Sequence, residues 1–269
     1  MRLKKKIRRV LNFILWGILF AGAGVLLGFA DYEQNGSICR SLHYNLDYAE
    51  ADVMITEADA DSLIQSVAGE IKGKPLYQIN TEKIERILNS YPYVASAHVY
   101  GTNTGDIYIN IKQREPVLRI ITESNKSYFI GAEGTLLPFH PDYPVRVVVA
   151  TGAIPDSMFI SRRNPGSRSF VDPVVFSPML TDLHKLASLI YRNPFLKAQV
   201  SQIYVNHQGD YELIPKVGNH LILLGDAENL DEKFGRLMIF YKQGLNQIGW
   251  NKYKTINIKY KNQVVCSKL

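Results

Sequence analysis

Histidine and cysteine are the side chains of this chain best suited to catalysis or metal binding, and both kinds are scattered. The histidines show no HExxH or similar ligand spacing; they are His43, His98, His140, His184, His207 and His220. Cys39 and Cys266 form no CxxC pair, and the chain contains no GxSxG elbow and no glycine-rich phosphate loop ending in GK[ST]. The sequence therefore predicts no catalytic residue, no metal or cofactor site and no small-molecule substrate, and it disfavours a membrane-anchored hydrolase.

Three local features have structural explanations. Asp59 and Asp61 form a carboxylate pair, but both fall in the first turn of a predicted helix, where acids interact favourably with the helix dipole. His184 lies on the apolar stripe of another predicted helix, which is typical of a satisfied core or edge histidine. One cysteine pair is no disulfide framework. We therefore expect two separate thiols at Cys39 and Cys266, although an extracytoplasmic compartment would also allow a bridge.

An uncharged apolar run, Val10–Ala30, is the most strongly patterned stretch of the chain. Its length matches the roughly 20 helical residues that cross a bilayer. The preceding residues, MRLKKKIRR, carry six cations and no acid, and such basic flanks stay in the cytoplasm. We therefore predict a cytoplasmic tail (1–9), a transmembrane helix (10–30) and an extracytoplasmic remainder (31–269). A cleaved signal peptide is the alternative, but the run continues well past its one small-x-small site at Ala21–Ala23.

The basic N-terminal tail also explains the charge of the whole chain. The chain has 31 Lys+Arg and 25 Asp+Glu, a net charge of +6, and the tail holds the six excess cations. Residues 31–269 are therefore neutral overall, which argues against a nucleic-acid partner.

Within the apolar run, four small residues share one helix face: Gly17, Ala21, Gly24 and Gly28. They would allow another helix to approach closely, or they simply reflect the usual composition of membrane helices.

Residues 38–112 have a pattern that predicts the order β-α-α-β-β after a short linker, residues 31–37. A loosely alternating strand, Ile38–Tyr48, comes first, and two helices begin at Thr56 and at Asn80-Thr81, both with capping residues. Pro92 ends the second helix. Two runs of period two on either side of a Gly- and Asn-rich turn then predict a hairpin; they are Val94–Tyr100 and Ile107–Ile111.

Residues 117–269 have a pattern that predicts short strands and two helices. One helix begins at Ser177-Pro178 and stops at Asn193-Pro194, and the other runs from Gly225-Asp226 to Ile248. The predicted strands are Leu118–Thr122, Ser127–Ile130, Val145–Ala150, Met158–Ile160, Val200–Asn206, Asp210–Ile214, His220–Leu224 and, at the C-terminus, the amphipathic Thr255–Val265.

Four segments resemble the FtsQ/DivIB family. Ile87–Val99 is similar to its "YPxV..A.V" element, and Gln113–Val117 (QREPV) to its "ERxPV" ending, with Gln113 in the usual acid position. Tyr128–Gly134 resembles the glycine turn that follows the family's POTRA domain. The tail Ile256–Val265 resembles the last strand, "DLRY...V", with Asn257 and Lys259 in place of the acid and the arginine.

The resemblance implies a bitopic bacterial cell-division protein with an α+β fold. It implies a single transmembrane helix, a POTRA-like domain (38–116) and a β-domain (117–269) with a mixed sheet and two helices. Members have no catalytic activity. They sit in the inner membrane at the division septum with their folded domains in the periplasm, and they join other divisome proteins, notably the FtsB–FtsL pair.

The predicted partner site lies on the C-terminal strand. A terminal strand offers unpaired backbone groups to which a partner segment can add by β-augmentation. The residues expected to bind the FtsB-like partner are Ile258, Lys259, Tyr260, Lys261 and Val264. Lys259 and Tyr260 match the family's Arg-Tyr pair, and lysine lacks the bidentate fork of arginine. The same apolar residues could merely complete the sheet, and both roles are compatible.

An alternative function is that of a POTRA-containing component of protein secretion or outer-membrane assembly. Such a protein would continue after the POTRA domain in a regular succession of alternating strands. The two helices predicted within residues 117–269 disfavour it.

Overall fold

The computed structural model describes residues 15–24, 37–49, 51–158 and 177–268. The predicted cytoplasmic tail and residues 31–36 of the linker lie outside these ranges. Of the predicted transmembrane run only residues 15–24 are described, as helix α1, while 10–14 and 25–30 lie outside. Within the described ranges, no helix combines the length and the apolar character needed to cross a membrane.

The chain divides into two compact units whose segments alternate along the sequence. Of the described residues, the first comprises those up to Leu46 together with Glu57–Asn89 and Ser96–Ile111. The second comprises those within Lys112–Leu269 and two short earlier segments, within Asp47–Thr56 and Ser90–Ala95.

The first unit has the predicted β-α-α-β-β order. Its elements are β1 (Ser41–Asp47), α2 (Glu57–Ala68), α3 (Thr81–Asn89), β2 (Val94–Gly101) and β3 (Asp106–Gln113), and the sheet order is β1-β3-β2. The cap predicted before α3 is confirmed, because Asn80 Oδ1 accepts the Lys83 N–H at 2.8 Å. Ile84 and Leu88 of α3 are fully buried, as are alternate residues of β3.

The second unit contains a mixed sheet in the order β12-β11-β10-β9-β8-β7-β4-β5-β6. Its strands are β4 (Pro116–Ile121), β5 (Ser127–Gly131), β6 (Leu136–Pro138), β7 (Val148–Gly152), β8 (Val200–Val205), β9 (Tyr211–Pro215), β10 (Leu221–Gly225), β11 (Tyr253–Asn257) and β12 (Val265–Lys268). β4, β7 and β8 run parallel to one another, as do β10 and β11, and the other neighbours are antiparallel.

Helices bury one face in the core of this sheet. They are α4 (Pro178–Arg192), α5 (Pro194–Gln199), α6 (Leu230–Ile239), a π-helical turn (Phe240–Leu245) and α7 (Asn246–Ile248). Leu180 and Leu183 of α4 and Leu237 of α6 join one apolar cluster with the strands. α4 begins at Pro178 as predicted. Ser177 caps it, since its Oγ accepts the Leu180 N–H at 3.3 Å.

Several predicted bounds are wrong. The first strand starts at Ser41 rather than Ile38, because Ile38 forms an isolated bridge with Pro75. The strand predicted at 145–150 is shifted to Val148–Gly152, where it pairs with β4 and β8. Met158 lies in a 3₁₀ turn and not in a strand, and residues 159–160 lie outside the described ranges. The helix predicted up to Ile248 is broken by the π turn. Neither β6 nor α5 was predicted.

Gln113 shows why this chain departs from the acid of the "ERxPV" pattern. The side chain is 1% exposed. Its Oε1 accepts the Met54 N–H at 2.6 Å and its Nε2 donates to the Asp52 carbonyl at 2.9 Å. An ionised carboxylate could make only the first of these bonds, so the amide satisfies one buried and one partly buried backbone group of the second unit.

Candidate partner-binding edge

The predicted continuous strand Thr255–Val265 is wrong, because the chain forms a hairpin there. β11 ends at Asn257, whose Oδ1 accepts the Lys259 N–H at 3.0 Å in a local turn. Asn262 takes a left-handed conformation (φ 60°), and the chain returns as β12, antiparallel to β11. The pairing aligns Ile256 with Cys266 and Asn257 with Val265.

This hairpin moves the free edge of the sheet. β11 is hydrogen-bonded on one side to β10, in parallel, and on the other to β12. The edge that the sequence assigned to residues 255–265 is therefore covered. Among the described residues, β12 is one of the two terminal strands of the sheet, with β6 at the other end, so its outer side carries backbone groups open to a further strand.

Three of the five predicted partner-binding residues are engaged within the fold. Ile258 is fully buried; its N–H donates to the Leu223 carbonyl at 3.0 Å, and its own carbonyl accepts from Arg236 at 3.2 Å. Lys259 Nζ forms an ion pair with Asp210 at 2.5 Å. Val264 is half-buried and packs on the apolar core.

The other two predicted residues lie at the surface. Tyr260 is 52% exposed, and Lys261 is exposed in the same loop. An exposed tyrosine beside a strand edge is suited to an interface, because it offers a large rigid apolar surface with one polar group. The structure thus places Tyr260 and Lys261, but not Ile258 and Val264, where a partner could reach their side chains.

β12 adds residues that the sequence reasoning missed. Val265 is 45% exposed, and Ser267 Oγ lies 2.5 Å from Thr255 Oγ1 across the strand pair. Burial raises the pKa of the Cys266 thiol, which favours its protonated form. The turn residues Lys261-Asn262-Gln263 were the one signal that could have predicted a return strand.

The charge of this edge is positive. Residues 251–269 contain five lysines and no acid, and Lys254, Lys261 and Lys268 are exposed on or beside the hairpin. Lysines on an edge strand discourage pairing between identical copies. The same charges favour an added segment that carries acidic side chains.

The other residues considered for chemistry serve the fold. Asp59 lies in the first turn of α2 as predicted, but the same prediction is wrong for Asp61, which lies beyond that turn because α2 begins at Glu57. Asp61 instead accepts the Tyr44 O–H at 2.9 Å; burial first, and then this bond, raise the pKa of Tyr44. His184 Nε2 lies 3.1 Å from the Ala132 carbonyl, which fits the predicted satisfied histidine. Both Cys39 and Cys266 are free thiols. Within the described ranges, no three His, Cys, Asp or Glu side chains come together as metal ligands.

Comparison with protein families agrees with this architecture. Residues 37–112 match the model of a POTRA-like domain. Residues 115–267, more than half of the chain, match the model described as "FtsQ/DivIB, C-terminal related". No individual curated protein matches the chain. Because the second match covers more than half of the chain, this chain belongs to the FtsQ/DivIB family of non-enzymatic bacterial cell-division proteins.

Proposed function

We propose that this chain is a bitopic scaffold of the divisome that captures an FtsB-like partner, with its FtsL-like companion, on the outer edge of β12. The single observation that carries the proposal is the terminal position of β12 in the sheet. Strand addition there would supply main-chain hydrogen bonds for affinity, and Tyr260 with the lysines would supply specificity. Other divisome membrane proteins would be joined through the same scaffold.

The membrane part of the proposal is a single-pass anchor in the inner membrane. Residues 10–30 would cross the bilayer with the N-terminus in the cytoplasm and the folded units in the periplasm at the septum. The described part of this run supports it, because its apolar side chains are each more than half exposed and need a non-aqueous surrounding; they are Leu15, Trp16, Ile18, Leu19 and Phe20.

Proline substitution tests the strand-capture step. Successive N–H groups of an edge strand face alternately inward and outward, so Cys266→Pro and Ser267→Pro each remove one donor, from opposite sides of β12. The variant that removes the outward donor should lose co-purification of the FtsB–FtsL-like pair while its melting temperature stays close to that of the unchanged protein. The other should weaken the hairpin and melt earlier.

Side-chain variants complete this test. Tyr260→Glu should reduce capture, since it replaces an interface tyrosine with an acid that repels an acidic partner segment. Lys259→Met should affect the melting temperature more than capture, because Lys259 is paired with Asp210. Undiminished pull-down in both proline variants and in Tyr260→Glu would reject strand capture at this edge.

Depletion of the protein tests the cellular role. A divisome scaffold should be required for septum formation, so depleted cells should grow as filaments without septa, and a fluorescent fusion should gather at the division site. Loss of outer-membrane proteins without filamentation would instead support the secretion or assembly function.

A further inference from the structure

A basic cavity lies in the second unit, away from the C-terminal hairpin. It has a volume of about 280 Å³ and lies where the first residues of the parallel strands β4, β7 and β8 meet the ends of α4 and α5. Its floor is apolar and buried, and consists of Val117, Val148, Ile190 and Val200.

Three cations line this cavity, and no acid does: they are Arg146, Lys197 and Lys216. In the described part of the chain, none of the three forms an ion pair. Residues 31–269 are neutral overall, so three uncompensated cations around one small cavity are a local concentration of charge rather than a general property of the surface.

Contacts within the fold hold the two lysine ammonium groups in place. Lys197 Nζ lies 3.9 Å from the centre of the Tyr191 ring, a cation–π contact that fixes the ammonium group at the cavity wall. Lys216 Nζ donates to the Lys197 carbonyl at 3.2 Å. The backbone N–H of Arg146 donates to the Asp52 carboxylate at 2.7 Å, and Asp52 itself does not line the cavity. The two ammonium groups are thus partly ordered before any ligand arrives, which lowers the entropic cost of binding.

We propose that this cavity binds a short acidic peptide segment of a partner protein, with a carboxylate against the three cations and a neighbouring apolar side chain on the valine-rich floor. Arginine and lysine form their strongest hydrogen bonds with anionic oxygens. A phosphate ion would leave the apolar floor uncovered. The volume lies just below that of ordinary ligand pockets, which suits one or two side chains better than an acyl chain.

This site is distinct from the β12 edge. The two differ in the strands that form them, β4, β7 and β8 here and β11 and β12 there, so one can be lost without the other. The scaffold would then hold two partner segments at once, one added as a strand and one bound by its side chains.

The test uses the purified full chain in detergent and a labelled pentapeptide, acetyl-Ala-Leu-Glu-Leu-Ala-amide, followed by fluorescence anisotropy at low salt. The peptide with Gln in place of Glu is the matched ligand control. We expect the Glu peptide to bind at least tenfold more tightly than the Gln peptide. Lys197→Met, which keeps an apolar chain on Tyr191, and Lys216→Met should each weaken binding at least tenfold. Lys254→Met, on the C-terminal hairpin, should leave it unchanged.

Three outcomes would overturn the proposal. Equal affinity for the Glu and Gln peptides would show that the cations do not recognise the carboxylate. Equal binding by Lys197→Met, Lys216→Met and the unchanged protein would show that the peptide binds elsewhere. Displacement of the peptide by inorganic phosphate or by phosphatidylglycerol vesicles at lower concentration than by unlabelled peptide would assign the cavity to a phosphate ligand. Co-purification of the FtsB–FtsL-like pair, measured in parallel, reports separately on the β12 edge.

Discussion

Gly152 is a position where only glycine fits. It ends β7 with φ +106°, and a Cβ there would overlap the backbone of Val205 on β8. Gly152→Ala should therefore lower the free energy of unfolding by about 1–3 kcal/mol more than Gly209→Ala. Gly209 also has positive φ (+85°) but has open space around it. The stability lost in Gly209→Ala therefore measures the backbone strain alone, about 1 kcal/mol. Urea unfolding measures both, and equal losses would mean that β7 and β8 separate easily.

Asp156 should contribute to acid sensitivity. Its carboxylate accepts the Ser124 O–H at 2.6 Å and the Lys126 ammonium at 3.0 Å. The hydrogen bond from Ser124, followed by those from Thr122 and Lys126, lowers the pKa of Asp156 from 3.8 to about 2. Because the folded-state pKa is the lower one, the carboxylate stabilises the protein above about pH 4, and this stabilisation is lost as the pH falls toward 2.

The variant Asp156→Asn isolates this contribution. Its melting temperature should fall less steeply between about pH 4 and pH 2 than that of the unchanged protein, since the titrating group is gone. Glu123→Gln, at an exposed neighbouring position, is the matched control and should keep the original slope. If the melting temperature of Asp156→Asn falls with pH as steeply as that of the unchanged protein, Asp156 does not contribute to the acid sensitivity.

At the scale of elements, Asn193 serves two helices. The sequence predicts it as the stop of α4, and the structure adds that it begins α5: its Oδ1 accepts the N–H groups of Phe195 and Leu196 at 3.0 and 3.1 Å. Asn193→Ala should lower the free energy of unfolding by about 1 kcal/mol through loss of this cap. Asn193→Asp keeps the accepting oxygen and should retain most of the stability, so equal losses in thermal unfolding would contradict the capping role.

Element type followed from local patterns far better than element ends did. Helices α2, α3 and α4 and the β2–β3 hairpin follow from apolar spacing and capping residues, which act within a few positions. The predicted bounds of β7 are wrong because the true bounds depend on pairing with β4 and β8, which are distant in sequence. The π turn at Phe240–Leu245 interrupts a segment whose apolar spacing predicts one continuous helix.

At the scale of the whole molecule, the apolar run 10–30 is the proposed membrane anchor of the folded units. Ile18→Arg places a charge in the middle of that run and should weaken membrane insertion by about 2.5–3.5 kcal/mol. The protein should then be partly released from membranes by alkaline carbonate, whereas Ile18→Leu should stay bound. External protease should digest residues 31–269 of the unchanged protein in spheroplasts. Protection of these residues would contradict the proposed topology.

The sequence alone determined the features that depend on local composition. The basic tail and the apolar run, the neutral remainder, the β-α-α-β-β order and the absence of a catalytic motif all follow from residues close together in the chain. The resemblance to the FtsQ/DivIB family rested on such short segments as well, and the family matches confirm it.

Only the tertiary structure decided where the edge of the sheet lies and which charges remain uncompensated. The sequence predicts that Lys259 is free to bind a partner, but in the folded protein it forms an ion pair with Asp210. The sequence predicts one strand with an open edge over residues 255–265, but in the structure β12 pairs with β11 and covers that edge. The cations of the basic cavity come from three separate parts of the chain. Strand pairing and charge neutralisation act between residues far apart in sequence, so neither leaves a periodic signal that the sequence can show.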